Sequence, residues 1–217
     1  MEGGIRWDHQ SLYNSYKIAS NMLYNEIKLK NPGVLKTKLP DDIFHQIKAD
    51  ALADYDKKIP YNENLVGQIS GEYEIQIRPY FETIINKMWI EYRDRFDYCR
   101  SDQYNIPEHG WINVQKKHEF NPVHHHDGAA AWVLWLQIPY DLQEELNMFP
   151  NAKSKDASLF NFYYNSFTGA QDNLALHIDK EWEGTMIMFP AMLKHSVHPF
   201  YTTDTPRISI ASNIRCL

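Results

Sequence analysis

Residues 111–138 read WINVQKKHEFNPVHHHDGAAAWVLWLQI and contain three short segments rich in aromatic and β-branched residues. Segments of this kind, separated by polar or glycine-containing turns, are typical of β-strands. We therefore predict strands at 111–116, 119–126 and 130–138. The same pattern continues along the chain and predicts five more strands, at 158–164, 174–178, 184–189, 194–200 and 206–212.

Eight short strands with no helix-length segment between them favour a double-sheet jelly roll over alternating βαβ units. The 140–157 stretch is the one long polar insertion. Upstream of Ile106-Pro107, apolar residues recur at three- and four-residue steps, which predicts helices at 8–29, from an N-cap at Asp41, and over 81–92. The expected fold class is α+β: a double-stranded β-helix (jelly-roll) core at 106–217, with a helical N-terminal region at 1–105 packed on its outside as one structural domain.

The composition excludes several classes of protein. A formal charge of −6 and the absence of a basic stripe argue against a dedicated nucleic-acid binder. The first thirty residues hold charged side chains and no long apolar run, so we expect neither a signal peptide nor a membrane span. Cys99 and Cys216 are far apart in sequence and form no C-x-x-C pair, which fits a reducing compartment and excludes a zinc-ribbon site. A cytoplasmic protein is expected, with nitrogen and oxygen ligands for any metal.

Three consecutive histidines lie at the end of the predicted 119–126 strand. Side chains at i and i+2 share one face of a strand, so His124 and His126 are one possible chelating pair, and His125 with Asp127 is the other. The third ligand has to come from another strand, and the candidate is His195, which follows four further predicted strands. The H-x-D motif at 177–179 is too close to His195 in sequence to be its partner and is interpreted as a decoy.

Arg207 and Ser209 fall on one face of the last predicted strand, with Ile208 on the other. An arginine that points into an apolar barrel is costly unless it meets an anion, and its planar guanidinium fits a carboxylate bidentately. The alternative is an arginine that pairs with an internal acid or lies at an exposed edge. Together with the histidines, the pair favours a carboxylate cosubstrate beside the metal.

Residues 111–214 resemble the 2-oxoglutarate/Fe(II)-dependent oxygenase superfamily, in the branch related to prolyl hydroxylase that includes phage-encoded members. The resemblance rests on the order of six motifs. They are the opening WINV at 111–114, NPVHHH at 121–126, WVLWLQIP at 132–139, EGTMIMFP at 183–190, His195, and RIS at 207–209. This branch has H-x-H where the wider superfamily has H-x-D, so the motif falls on His124 and His126, with Asp127 as the alternative source of a carboxylate.

The resemblance implies Fe(II) on His124, His126 and His195, and 2-oxoglutarate with its distal carboxylate on Arg207 and Ser209. Asn113, Gln137 and Asn161 are further candidates for the cosubstrate shell. The implied activity is hydroxylation of a substrate C–H bond with release of succinate and CO2, in the cytoplasm, or in the host cytoplasm if the gene is phage-encoded. The sequence leaves the substrate and the oligomeric state undetermined. The rival interpretations are a cupin-like metal-binding or scaffold domain without redox activity, and a zinc hydrolase that would use Asp127 as its base.

Overall fold

The computed structural model of the chain describes residues 32–61, 66–99 and 101–217. Within them, two antiparallel sheets pack face to face, and helices cover the outer face of the larger sheet. The helices are α1 (Asp41–Tyr55), α2 (Pro79–Phe96) and α3 (Leu142–Asn147), with a 3-10 turn at Lys180–Trp182. The strands are β1 (Leu35–Lys38), β2 (Glu72–Gln76), β3 (Tyr104–Asn105), β4 (His109–Gln115), β5 (Asn121–His124), β6 (Ala130–Gln137), β7 (Leu159–Asn165), β8 (Gln171–His177), β9 (Thr185–Pro190), β10 (Lys194–Val197) and β11 (Arg207–Cys216).

The larger sheet has the strand order β1-β9-β6-β11-β4-β2, with β3 attached to β11, and the smaller sheet has the order β5-β10-β7-β8. All strand pairs within the two sheets are antiparallel. The eight predicted strands correspond to β4 through β11, and the α+β class is confirmed. Three of the four sheet edges, β1, β2 and β5, pair with strands more than thirty residues away, whereas the fourth, β8, forms a hairpin with β7.

Strand β6 shows why this sequence lies at the centre of the molecule. Its residues are buried on both faces: Trp132 and Leu134 pack in the core beneath the helices, whereas Val133 and Trp135 pack in the core between the sheets. A strand covered on both faces has no polar alternation, which is the pattern of this segment. Burial of each large apolar side chain contributes about 1.5–3 kcal/mol.

The N-terminal region is less helical than the sequence predicted. Strands β1 and β2 join the larger sheet by pairing with β9 and β4. These two strands are short, and their partners lie more than thirty residues away, so local periodicity carries little sign of them. The helix predicted from Asp41 is α1, but Pro40 rather than Asp41 occupies the N-cap position, and Asp41 lies in the first turn, where it favours the helix dipole. The helix predicted at 8–29 lies outside the described residues.

The two cysteines, 117 residues apart in sequence, are joined as a disulfide between Cys99 and Cys216. The pairing arises because β11 ends beside β3 and the segment that follows α2. The expectation of two reduced thiols, which rested on their distance in sequence, was therefore wrong. Among the described residues, no helix has the length and apolar character needed to cross a membrane.

Candidate metal centre

Strands β5 and β10 bring three histidines together at the edge of the smaller sheet. His124 and His195 are directly opposite each other in the antiparallel pairing of the two strands. His126 lies two residues beyond His124, where its backbone N–H donates to the Ala191 carbonyl at 2.9 Å. One ring nitrogen from each histidine lies within 4.8 Å of the others, so the three side chains converge on a single point.

Two of the three rings are held by backbone carbonyls. The Nδ1 atom of His124 lies 2.7 Å from the Pro122 carbonyl, and the Nδ1 atom of His195 lies 2.9 Å from the Leu193 carbonyl. A carbonyl accepts only a protonated nitrogen, so both rings carry their proton at Nδ1 and keep the Nε2 lone pair for another partner. This is the arrangement that orients histidine ligands in metal sites.

The environment keeps the imidazoles neutral. Burial, together with the adjacent histidines, lowers the pKa of His195 to about 3 and that of His126 to about 4, and burial also lowers the pKa of His124. Part of the burial of His195 comes from Phe160, whose ring stacks on the imidazole with centroids 5.4 Å apart. Neutral imidazole is the form that binds a metal, so this cluster can accept a cation at neutral pH without releasing protons.

The alternative ligands have different surroundings. His125 and Asp127 are exposed at the rim of the cavity that the three histidines line. His177 is exposed on β8, away from that cavity. Of the two possible i, i+2 pairs, the structure thus brings His124 and His126, rather than His125 and Asp127, together with His195.

A cavity of about 490 Å³ extends between the two sheets from the histidines towards β11 and β4. Three candidate cosubstrate residues, Asn113, Arg207 and Ser209, line it, whereas Gln137 and Asn161 do not. Gln137 donates to the Pro206 carbonyl, and Asn161 accepts from Asn173. These two polar residues have ordinary partners elsewhere in the sheets.

Arg207 is 3% exposed, and its guanidinium meets only neutral acceptors. Nη1 donates to the Tyr140 hydroxyl and the Ser158 carbonyl, and Nη2 donates to Gln115 Oε1 at 2.7 Å and to the His198 carbonyl. No described carboxylate forms an ion pair with it. The buried charge of Arg207 therefore has no counterion among the described residues. Its Nη1 and Nη2 atoms already donate to neutral acceptors, so an incoming carboxylate has to share or replace one of these acceptors.

Sequence reasoning missed Glu72, which lines the same cavity from β2. Its Cα lies opposite that of Asn113, and Asn113 is in turn opposite Ser209, so the three form one row across the larger sheet. Burial raises the pKa of Glu72 to about 7. Tyr73 and Ile75 alternate with Glu72 and Glu74 over only five residues, which is too short a pattern to predict this strand or its place beside the cavity.

Comparison with known proteins gives a family match over the strand-rich part of the chain. Residues 109–213 match the model of the family described as "Putative 2OG-Fe(II) oxygenase". The match spans the three histidines, Arg207 and Ser209. No curated protein matches the chain significantly.

Solved structures with similar folds include two prolyl hydroxylases. A prolyl-4-hydroxylase from Pseudomonas putida aligns with a TM-score of 0.56 at 12% identity, over 85% of this chain and 93% of that one. A prolyl hydroxylase from Trichoplax adhaerens, solved with a peptide fragment of the hypoxia inducible factor oxygen degradation domain, aligns with a TM-score of 0.57 at 14% identity, over 96% of this chain and 92% of that one. At these identities the likeness concerns the fold.

Proposed function

We propose that this chain hydroxylates a C–H bond of a substrate while converting 2-oxoglutarate to succinate and CO2, because residues 109–213 match the model of the family described as "Putative 2OG-Fe(II) oxygenase". The family uses Fe(II) and 2-oxoglutarate, and when bound they supply the oxidation: one oxygen atom of O2 enters succinate and the other enters the product hydroxyl. The two-sheet arrangement of the chain is, in this proposal, the jelly roll of the family, with α1 and α2 as its outer layer. A cytoplasmic location stays a prediction.

The observation that carries the proposal is a buried cation in the same cavity as three converging imidazoles. Arg207 has no counterion among the described residues, and a guanidinium buried without one is costly. A dicarboxylic keto acid satisfies both ends of this cavity, because it offers one carboxylate to Arg207 and oxygen atoms to a metal. A cupin-like metal-binding or scaffold domain without redox activity has no need for the end that Arg207 and Ser209 form.

Each residue then has a role that its surroundings support. His124, His126 and His195 would hold Fe(II) through neutral nitrogen donors, of which two are oriented by carbonyls. Arg207 would bind the distal carboxylate by exchanging one acceptor, and Gln115, which bonds to Nη2 and lines the cavity, is the side chain placed to yield. Ser209 would add a hydroxyl donor from the same face of β11. Phe160, Trp135 and Val133 line this part of the cavity and would exclude water.

A zinc hydrolase fits the site less well. Hydrolysis by zinc needs a general base beside the metal, and the sequence candidate for that base, Asp127, is exposed at the rim. His125, its neighbour, is exposed as well.

Succinate release tests the proposal directly. Purified protein is incubated with Fe(II), ascorbate and 2-oxoglutarate, with and without candidate substrates, and succinate is measured. We expect slow succinate release even without a substrate, because 2-oxoglutarate can be consumed when no C–H donor is bound. We expect no succinate release from His195→Ala. Anaerobic protein should also gain a weak visible absorption band when 2-oxoglutarate is added at saturating Fe(II). Protein that binds Fe(II) but shows neither the band nor succinate would count against an oxygenase and favour the scaffold.

A further inference from the structure

The three histidines differ in how their rings are fixed. Backbone carbonyls hold the Nδ1 atoms of His124 and His195. His126 follows the end of β5, and within residues 32–61, 66–99 and 101–217 no hydrogen bond to its ring nitrogens is formed. Some other contact has to set the angle of the His126 ring.

The indole of Trp111 provides that contact. Its ring lies 5.6 Å from the His126 ring at an angle of 40°. Tyr61 stacks on the indole, with centroids 5.9 Å apart and planes 11° apart. Trp111 is thus held between a histidine of the candidate centre and a second aromatic ring, and any rotation of the indole would move or release His126.

The indole is in turn tied to a buried carboxylate. In the amide orientation that satisfies both of its partners, Asn113 accepts at Oδ1 from Trp111 Nε1 at 3.3 Å and donates from Nδ2 to Glu72 Oε1 at 2.7 Å. Asn113 and Trp111 are two residues apart on β4, so both point to the cavity. The amide of Asn113 is therefore oriented by Glu72 on one side and orients the indole on the other.

We propose that Glu72 is a positioning residue for His126, acting through Asn113 and Trp111. The inference rests on the proposed function only in taking His126 as a metal ligand. His126 is thus supported from β2 and β4, across the cavity, whereas each of the other two histidines is held by a carbonyl two residues before it in the sequence. The positioning role also accounts for a buried carboxylate at a position where its ionisation is unfavourable.

Titration with Co2+ alone, followed by its visible absorption, tests the proposal without turnover. Loss of a group that orients a histidine ligand weakens metal binding about 10- to 100-fold. We expect a loss in that range, with a changed Co2+ spectrum, for Glu72→Ala. Glu72→Gln keeps an acceptor for Asn113 and should bind within about 3-fold of the unmodified protein. Glu74→Ala is the matched control. Glu74 lies on the same strand, opposite Trp111, but its carboxylate contacts His109 rather than Asn113, so this variant should also bind Co2+ within about 3-fold.

A second variant tests the path. Trp111→Phe keeps an aromatic ring against Tyr61 but removes the N–H that Asn113 accepts, and it should weaken Co2+ binding as Glu72→Ala does. Because both changes break the same series of contacts from Glu72 to His126, the double variant should bind Co2+ as tightly as Trp111→Phe alone, within about 2-fold. If Glu72→Ala does not fold, the comparison of the two single variants Trp111→Phe and Glu72→Gln still tests the proposal.

The outcomes separate this inference from the proposed function. An unmodified protein that does not bind Co2+ overturns both. If the unmodified protein binds Co2+ normally, any of four results overturns the positioning role alone. They are unchanged binding in Glu72→Ala, an equal loss in Glu74→Ala, no rescue by Glu72→Gln, and losses that multiply in the double variant.

Discussion

Among the residues that the structure describes, the candidate metal centre consists of three imidazoles without a carboxylate. The facial arrangement of non-haem Fe(II) oxygenases has two histidines and one carboxylate. With three neutral donors, a bound Fe2+ keeps its full positive charge, which strengthens its attraction for an anionic cosubstrate. The nearest sequence carboxylate, Asp127, is exposed and follows the end of β5.

This donor set predicts which substitutions abolish metal binding. His124→Ala, His126→Ala and His195→Ala should each weaken Fe2+ or Co2+ binding at least about 100-fold, because each removes one of three ligands. His125→Ala and Asp127→Ala should change it by less than about 3-fold, since both side chains are exposed. Isothermal titration measures all five. Sensitivity of His125 and Asp127 instead would mean that an H-x-D triad binds the metal.

Replacement of Arg207 should change the binding of 2-oxoglutarate without changing the binding of the metal. Arg207→Ala should leave Co2+ affinity within about 2-fold, yet raise the 2-oxoglutarate concentration needed for half-maximal succinate release about 10- to 150-fold, which corresponds to a charge-assisted contact of roughly 1.5–3 kcal/mol. Ser209→Ala, which removes one neutral donor, should raise it less. Equal 2-oxoglutarate requirements in Arg207→Ala and the unmodified protein would place the carboxylate elsewhere.

At the scale of the elements, the centre depends on how closely neighbouring strands approach. His124 and His195 meet because β5 and β10 pair with these residues opposite each other, and β7 continues the sheet behind them. On the other side of the cavity, β4 approaches β11 so closely that a Cβ at Gly110 would lie 2.5 Å from the Ala211 carbonyl oxygen. Glycine at this position thus permits the pairing that brings Trp111 and Asn113 beside Ala211 and Ser209.

The close approach predicts the effect of one added methyl group. Gly110→Ala should destabilise the protein by roughly 1–3 kcal/mol, because a backbone carbonyl has to move. It should also weaken Co2+ binding, since β4 carries Trp111. Gly169→Ala is the comparison: it lies in the β7–β8 turn with open space around it, and its positive φ should cost only about 1 kcal/mol, without a change in Co2+ binding. Urea unfolding and Co2+ titration of both variants check this, and equal effects on Co2+ binding would contradict it.

At the scale of the whole molecule, the larger sheet is the common wall of two cores. One core lies between this sheet and the helices, and the other lies between the two sheets, next to the cavity. Polar groups that face the cavity are therefore buried by the assembly of both sheets. Glu72 is the clearest case, because β2 is an edge strand whose carboxylate is buried only when the sheets come together.

The raised pKa of Glu72 predicts how folding stability depends on pH. The folded protein holds this proton up to a pKa of about 7, whereas the ordinary value is 4.5, so the folded state binds more protons between these values. Stability should therefore fall as pH rises from about 4.5 to 7 and then level off. At pH 8 the isosteric, uncharged Glu72→Gln should be more stable than the unmodified protein by on the order of 2–3 kcal/mol, and at pH 4 the difference should be small. Urea unfolding in the presence of a chelator measures both, with Glu74→Gln as control. A difference that is the same at the two pH values would contradict the assignment.

The sequence alone determined the elements with strong local patterns and the residues that they carry. Most of the strands from β4 to β11 are rich in aromatic and β-branched residues between turn signals. His124 lies on β5, Arg207 lies on β11, and His126 follows the end of β5. The i, i+2 rule reduced the ligand choice to two pairs, because side chains alternate along a strand. Only the tertiary structure separated these pairs, since the face of β5 that points to His195 depends on pairing with β10.

The sequence could not predict the strands, the disulfide or the buried groups that depend on partners far away in the chain. Strands β1 and β2 exist because β9 and β4 provide their hydrogen bonds, and the pairing of Cys99 with Cys216 exists because β11 ends beside β3. Glu72 has no unusual sequence context, and it becomes a buried group of the cavity only where the row Glu72, Asn113 and Ser209 is assembled across three strands. Local propensity and periodicity are properties of neighbouring residues, whereas register and burial are set by contacts between segments far apart in the chain.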